Sequence, residues 1–212
     1  MRGSDIGIRP RPMSPLVLHA RRLVLRTLTE HDYDGWYEVR QRCQEWLVKW
    51  EPRPATAPHL AEDRRSFNSR CAIRERERQM GTGIGFGIFV GGRFAGEITL
   101  SSIQRGPVQS GYIGYWIDEA LAGHGYTPEA VVTVMQYAFD SLELHRVEIN
   151  IIPRNAASIR VAEKLGLRME GIAERYIQID GAWEDHTRYA MTSEEWRERA
   201  PEMVSNWLLP KP

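Results

Sequence analysis

The 212-residue chain has little cysteine, no excess of either charge and no long apolar run. Its two cysteines, Cys43 and Cys71, form no CxxC pair and do not stand near a histidine cluster. This argues against a disulfide framework and a structural zinc site, so no metal is expected. Lysine plus arginine equals aspartate plus glutamate at 28 each. Neither a nucleic-acid backbone nor an anionic membrane is therefore the expected main partner.

Segments that would direct the chain to a membrane are also lacking. No window approaches the ~20 apolar residues that a membrane-spanning helix needs. Residues 1–12 are polar and lack the apolar centre of a signal peptide. We therefore expect a cytoplasmic protein.

The remaining composition is that of an ordinary globular chain, with 42% hydrophobic and 26% charged residues. Three prolines near the start indicate an irregular N-terminal arm over residues 1–20. We expect one domain over residues 21–192. A C-terminal helix and tail over residues 193–212 are expected to pack on that domain.

Hydrophobic periodicity and turn signals predict the order β, α, α, βββ, α, β, α, ββ, α. A capping signal at Thr29, with Asp32 three positions on, opens the first helix. The predicted elements cover residues 22–26, 29–43, 60–80, 84–90, 94–103, 111–117, 128–142, 145–152, 155–165, 167–179, 182–191 and 194–207. Antiparallel hairpins combined with one strand–helix–strand unit indicate an α/β sheet of the mixed, α+β kind.

The first motif of chemical interest is the glycine-rich loop at residues 122–128, between a strand and a helix. Gly123 and Gly125 let backbone amides approach a ligand, and we expect Thr127 to cap a helix that starts at Pro128. Such a loop can hold a phosphate or pyrophosphate. Alternatively, the glycines only make the turn. It is neither the dinucleotide fingerprint, whose third glycine would fall on Pro128, nor a P-loop.

The second motif opens the next helix, about thirty residues later. Asn155 stands at its start, and Ser158 shares a helical stripe with Val161, Ala162 and Leu165. The Ser158 hydroxyl is therefore expected to face inward, where it needs a partner. A plain cap and a satisfied core hydroxyl are the alternative interpretation.

The order and spacing of several segments carry more information than either motif. They are residues 21–26, 50–52, 113–117, 123–126, 129–130, 144–146, 153–155 with Ser158, 164–171, and 176–183 with Asp185 and His186. In this respect the chain resembles the GNAT N-acetyltransferase superfamily over residues 20–192. Within it, the chain resembles the ribosomal-protein acetyltransferases RimJ and RimL. The resemblance implies a mixed central sheet of about seven strands with flanking helices and a V-shaped splay at the cofactor site.

The same resemblance implies that acetyl-CoA is the acetyl donor and that an amine attacks its thioester directly. It assigns the pantetheine arm to the backbone at Trp116 and Ile117, and the pyrophosphate to the loop amides. The implied cofactor-binding residues are Trp116, Ile117, Gly123, His124, Gly125, Tyr126, Thr127, Asn155 and Ser158. Ala122 replaces the usual Gln or Arg, so that end of the loop offers only backbone.

The implied catalytic groups depart further from the family pattern. Ser158 would donate a proton to the departing sulfur, and Asn155 would order the cofactor arm. The tyrosine that RimI-type enzymes use is replaced by Ala162, and their glutamate by Asn150. The proposed glutamate base of RimL falls at Ile177.

Other groups remain as candidate proton relays, namely Glu148, Glu97 and His186. For each, a surface or structural role is the alternative. A base is needed only weakly by an α-amine, whose pKa is about 7.7–8.0, whereas a lysine amine near 10.4 needs much stronger help. The lack of the usual base therefore favours α-amines as acceptors.

Acceptor binding is expected to involve the aromatic residues Trp50, Tyr176 and Trp183, which are alternatively core residues. The leading interpretation is an acetyltransferase, monomeric or homodimeric, that acts on a protein N-terminus. The resemblance implies the alanine N-terminus of a ribosomal small-subunit protein. The second interpretation is a small-molecule amine acetyltransferase, such as one that inactivates an antibiotic, although no acidic cluster suggests a polycationic substrate. The third is a non-catalytic acyl-CoA-binding module.

Overall fold

A single mixed sheet runs through the protein. The computed structural model describes residues 15–52 and 62–210. Its sheet has the strand order β1-β2-β3-β4-β5-β6-β8-β7. The strands are β1 (Val17–His19), β2 (Leu23–Arg26), β3 (Ile84–Val90), β4 (Arg93–Gln104), β5 (Ser110–Ile117), β6 (Arg146–Ile151), β7 (Arg168–Ile179) and β8 (Ala182–Thr192). Neighbouring strands are antiparallel except for the parallel pair β5 and β6. The predicted mixed α/β fold is confirmed, with eight strands instead of about seven.

The additional strand is β1, which lies in the segment predicted to be an irregular arm. Val17 pairs with Arg26 of β2, and Leu16 and Leu18 pack against the core. The prediction was wrong for residues 17–19 because a three-residue strand has too short an alternation to register as a pattern. Pairing with β2 determines its conformation. Residues 1–14 of the predicted arm lie outside the described residues.

Six helices flank the sheet in the described ranges. They are α1 (Tyr33–Arg42), α2 (Gln44–Val48), α3 (Arg64–Met80), α4 (Tyr126–Gln136), α5 (Ala156–Lys164) and α6 (Ser193–Trp207). Two predicted helices are divided: a 3₁₀ turn at Glu30–Asp32 precedes α1, and a π turn at Tyr137–Ser141 follows α4. For α3, Asp63 caps the start by accepting from the Ser66 amide at 2.8 Å. Residues 60 and 61 of that predicted helix lie outside the described residues.

The two faces of the sheet bury different clusters. On β3, the consecutive residues Ile88 and Phe89 belong to separate clusters, as expected for side chains that alternate between faces. The larger cluster contains α4, which is buried over residues 128–135, and Trp196 and Met203 of α6. The smaller cluster joins α1 and α3 to the sheet through Trp36 and Phe67.

The helices of the described residues include none that is both long and apolar enough to cross a membrane. Both cysteines are free thiols. Burial raises the pKa of the Cys71 thiol to about 11.

Candidate active site

Strands β5 and β6 separate after three paired residues. Their parallel register joins Ser110 to Arg146, Gly111 to Val147 and Tyr112 to Glu148. Beyond this point β4 remains paired with β5 up to Ile117, and β8 with β6. Within the described chain, residues 113–117 of β5 therefore have no strand partner on their β6 side. The predicted V-shaped splay is confirmed.

A cleft of about 480 Å³ occupies this opening. It collects side chains from α5 and from both arms of the splay, and the β7–β8 hairpin closes one side. Its lining includes Trp50, Arg74, Thr99, Ser101, Tyr112, Tyr115, Asn150, Asn155, Ser158, Tyr176 and His186. The volume suits an extended ligand with few polar contacts.

The glycine-rich loop next to β5 turns directly into α4. Gly123 and Gly125 both have φ of +82°, in the region that favours glycine. Gly125 is the N-cap and α4 starts at Tyr126, so the predicted cap at Thr127 and start at Pro128 were wrong. The left-handed Gly125 lets the helix begin earlier, and Pro128 is tolerated in the first turn because amides there have no intrahelical acceptor. No side chain caps this turn, so its amides remain available to an anion.

An ion pair that sequence reasoning missed fastens this loop to the start of β2. The Arg22 Nε donates to Glu129 Oε2 at 2.7 Å, and its backbone amide donates to Glu129 Oε1 at 2.5 Å. A further guanidinium nitrogen donates to the His124 carbonyl at 3.0 Å, and the guanidinium lies 4.6 Å from the Tyr126 ring centre. Glu129 is fully buried. Both residues lie in the segments 21–26 and 129–130, but their contact spans 107 positions and leaves no local signal.

Asn155 and Ser158 meet in the cleft at the start of α5. Asn155 is the N-cap, and its Oδ1 accepts from the Ser158 amide at 3.1 Å. The Ser158 carbonyl accepts from the Tyr115 hydroxyl of β5 at 3.4 Å. Burial raises the pKa of that hydroxyl, so Tyr115 stays protonated at neutral pH. Sequence reasoning missed Tyr115, since its alternation in β5 indicated only a strand residue.

Two of the three predicted acceptor-binding aromatics reach the cleft. A register shift between Ala173 and Ile177 makes a bulge in β7, where the Arg175 amide donates to Asp185 Oδ1 at 2.8 Å. The bulge carries Tyr176 into the cleft lining, where Trp50 also lies. Trp183 is 61% exposed and does not line the cleft. The geometry therefore does not support its predicted role.

Comparison with known proteins agrees with this architecture. The family model described as "Acetyltransferase (GNAT) domain" matches residues 22–168. The [Ribosomal protein uS5]-alanine N-acetyltransferase of Escherichia coli (strain K12) is 30% identical over 181 residues, which cover 82% of this chain and 90% of that protein.

The chain belongs to the GNAT acetyltransferase family.

Two further similarities extend the comparison. The structure of Mycobacterium smegmatis RimJ in complex with CoA-disulfide is 29% identical, with a TM-score of 0.83 over 92% of this chain and 94% of that one. "Probable N-acetyltransferase YjcK" of Bacillus subtilis (strain 168) is 48% identical over 103 residues, or 48% of this chain and 57% of that protein. The chain is an N-acetyltransferase of the RimJ/RimL type, and its acetyl donor is acetyl-CoA.

The residues of this GNAT chain fit that donor. The open edge of β5 at residues 113–117 offers unpaired backbone groups to the amides of an extended arm. Trp116 and Ile117 lie at the end of this edge, held by β4 partners Glu97 and Gly96. At Gly123 the space that a Cβ would occupy is empty, with no atom within 4 Å.

The two predicted carboxylate relays lie outside the cleft lining in the described part of the chain. The Glu148 oxygens accept from Arg146 Nε and from Arg188, each at 2.7 Å. For Glu97, one oxygen accepts from Trp36 Nε1 at 2.7 Å and from Arg70 at 3.1 Å. Both carboxylates already accept hydrogen bonds from cations, so the geometry does not support a role as proton relay for either.

Proposed function

We propose that the acceptor is the α-amino group of a protein N-terminus, with the alanine N-terminus of a ribosomal small-subunit protein as the substrate. The observation that carries this proposal is the charge of the cleft. Among its described lining residues, Arg74 alone is permanently charged, and no carboxylate is present. A peptide N-terminus brings a single cation, whereas a polyamine or aminoglycoside brings several that would need carboxylate partners.

The similarity to the uS5-alanine enzyme supports an alanine-first terminus. The α-amine also suits a site with few bases, because its pKa of about 7.7–8.0 leaves roughly a tenth or more neutral at pH 7. A lysine side chain, with a pKa near 10.4, is almost wholly protonated there. The same cleft would therefore turn over an α-amine much faster than a lysine.

On the donor side, the amides of residues 123–127 would hold the pyrophosphate, supported by the positive end of the α4 dipole. The arm that follows would pair with backbone at Trp116 and Ile117. Asn155 would order the end of this arm, next to the open edge of β5. Acetyl-CoA, once bound, supplies an acyl carbon that is open to attack by an amine.

The reaction requires the amine nitrogen to bond to that carbon while the C–S bond breaks and the sulfur gains a proton. Ser158 lines the cleft at the start of α5 and is the proposed proton donor. On the acceptor side, Trp50 and Tyr176 would form the channel walls, with Arg154 held over the Trp50 ring at 4.9 Å. Aromatic walls suit an extended peptide, whose backbone contributes no charge beyond the terminus.

The test is mass spectrometry after incubation with acetyl-CoA and matched peptides. One peptide begins with free alanine, a second with free serine, and a third has a blocked N-terminus and an internal lysine. A small polyamine completes the panel. We expect acetylation of the alanine peptide first, the serine peptide more slowly and the blocked peptide not at all. Transfer to the polyamine but to neither free terminus would contradict the proposal.

A further inference from the structure

With Glu148 and Glu97 held by cations, the described lining of the cleft still contains one imidazole, that of His186 on β8. Imidazole is the side chain whose chemistry suits a base near neutral pH. It is only 3% exposed and lines the cleft. Its Nδ1 lies 3.0 Å from the Glu184 carbonyl oxygen. A carbonyl can only accept, so Nδ1 carries the hydrogen. In the neutral ring, Nε2 therefore presents a lone pair.

The surroundings hold this imidazole in place while leaving Nε2 free. The Tyr176 ring meets it edge to face, with 6.0 Å between ring centres and 71° between planes. None of the hydrogen bonds found in the described ranges uses Nε2. This is the arrangement of a base whose tautomer is fixed by the hydrogen bond at its other nitrogen.

A second unsatisfied acceptor lies in the same cleft. Asn150 Oδ1 is buried and has no donor among the described residues, although Asn150 lines the cleft. Asn150 pairs directly with Arg188, two residues beyond His186 on β8. Because alternate residues share a sheet face, the amide and the imidazole lie on the same face. A buried acceptor without a donor is costly unless a ligand supplies one.

We propose that His186 Nε2 accepts the proton of the incoming ammonium group and that Asn150 Oδ1 accepts a second N–H, which positions the nitrogen for attack. This inference rests on the proposed function, since it assumes that an amine enters the cleft from this face. His186 is then a catalytic residue and Asn150 a substrate-positioning one.

The protons and bonds balance without a further reactant. The ammonium gives one proton to His186 and becomes a neutral amine. Its nitrogen then bonds to the acyl carbon as the C–S bond breaks. The Ser158 hydroxyl gives its proton to the sulfur, and the second N–H proton restores that hydroxyl. The products are the amide, the free thiol of CoA and a protonated His186, which releases its proton to solvent.

The groups around His186 determine how its pH dependence is interpreted. Arg74, Tyr112, Tyr115 and Tyr176 line the same cleft. Two ion pairs involve neighbouring residues: Glu148 with Arg188, and Glu184 with Arg154 at 2.6 Å. Burial raises the pKa of the Tyr112 and Tyr115 hydroxyls, so both stay protonated near neutral pH. Among the described residues that line the cleft, His186 carries the one imidazole.

The test compares His186→Asn and His186→Gln with the wild type across a pH series. Asparagine can still donate to the Glu184 carbonyl, but neither amide can take up a proton. At about pH 7 we expect kcat/KM for the alanine peptide to fall by up to about tenfold, because roughly a tenth of the α-amine is already neutral without a base. The difference in kcat/KM between the variants and the wild type should shrink towards about pH 10, where the α-amine is already neutral and needs no base. His145→Gln is the matched control. His145 is exposed, and its Nε2 lies 3.2 Å from Glu194 Oε2. Neither residue lines the cleft.

Three further readouts separate catalysis from structure. Acetyl-CoA affinity and melting temperature should stay close to the wild type in His186→Asn, and added imidazole should restore part of the rate in His186→Ala. A wild-type rate in His186→Asn, or a loss that is the same at every pH with no imidazole rescue, would overturn the inference.

The same series separates the inference from the proposed function. If the wild type acetylates only small amines, the proposed acceptor is wrong. The His186 variants are then measured on that amine, and a pH-dependent loss still supports the role of His186. If peptide transfer is intact in both the wild type and His186→Asn, the proposed function stands and the inference fails.

Discussion

Replacing Arg22 by alanine tests the ion pair that fastens the glycine-rich loop. The change removes the donor to Glu129 Oε2, while the backbone amide at position 22 still reaches Oε1. Glu129 is fully buried, so its carboxylate would lose its cation. Breaking a buried pair in this way costs about 3–5 kcal/mol. Because the Arg22 side chain is itself 35% exposed, we expect the lower end, about 3 kcal/mol.

For a chain of this size, about 2–4 °C accompanies each kcal/mol, which gives a fall in melting temperature of about 6–12 °C. Loss of the bond from Arg22 to the His124 carbonyl should also loosen the loop. A charge-assisted bond contributes about 1.5–3 kcal/mol, so the Kd for acetyl-CoA should rise at least about tenfold. Thermal unfolding and titration calorimetry measure the two effects.

The neighbouring arginine provides a matched control. Arg21 donates to the Asn206 carbonyl at 3.1 Å on the surface, so Arg21→Ala should cost less than about 1 kcal/mol. Adding Glu129→Gln to Arg22→Ala removes the unpaired buried charge and should recover part of the stability. The reasoning fails if Arg22→Ala is no more harmful than Arg21→Ala, or if Glu129→Gln makes the Arg22→Ala protein still less stable.

Three other changes test separate features. Ser158→Ala should lower kcat by about 100-fold, because the sulfur loses its proton donor. The Kd for acetyl-CoA should stay nearly unchanged. If steady-state kinetics show an unaltered kcat, Ser158 does not have this role. Hydrogen bonds from Arg146, with further help from Arg168, lower the pKa of Glu170 to about 2 from 4.5. The stability that the Glu170 carboxylate contributes is thus present above about pH 4.5 and is lost as the pH falls towards about 2. Glu170→Gln should therefore unfold more readily at neutral pH and lose less stability than the wild type on acidification. Circular dichroism measures both effects. Burial holds the pKa of Cys71 at about 11, so at pH 8 mass spectrometry should find it alkylated about 100-fold more slowly than a free thiol; equal rates would refute its burial.

Elements with strong local signals could be predicted from the sequence almost residue by residue. The Gly91–Gly92 and Asp180–Gly181 turns gave the two hairpins their bounds, since β3 ends at Val90 and β8 begins at Ala182. These turns require a positive φ, which glycine provides at all three of its positions. Local backbone chemistry was sufficient there.

Prediction failed where the structure depends on contacts between segments that are distant in the sequence. β1 exists because β2 lies beside it, and the Arg22–Glu129 pair joins segments 107 positions apart. In the cleft, the sequence indicated Asn155 and Ser158 from their helix start. The same spacing could not show that Glu148 is bound by arginines from two strands, or that His186 is turned inward beside Tyr176. Those facts depend on sheet register, which periodicity alone does not give.

The early separation of β5 from β6 means that this protein folds with its sheet incomplete. An unpaired strand edge in the middle of a sheet would ordinarily be a liability, because it offers a template to any extended chain. Here it is recessed between two arms, and an extended donor arm can supply the absent hydrogen bonds. Any ligand that does so stabilises the fold by mass action, by about 2.7 kcal/mol at a hundred times its Kd. The melting temperature of this enzyme should therefore rise with the concentration of acetyl-CoA.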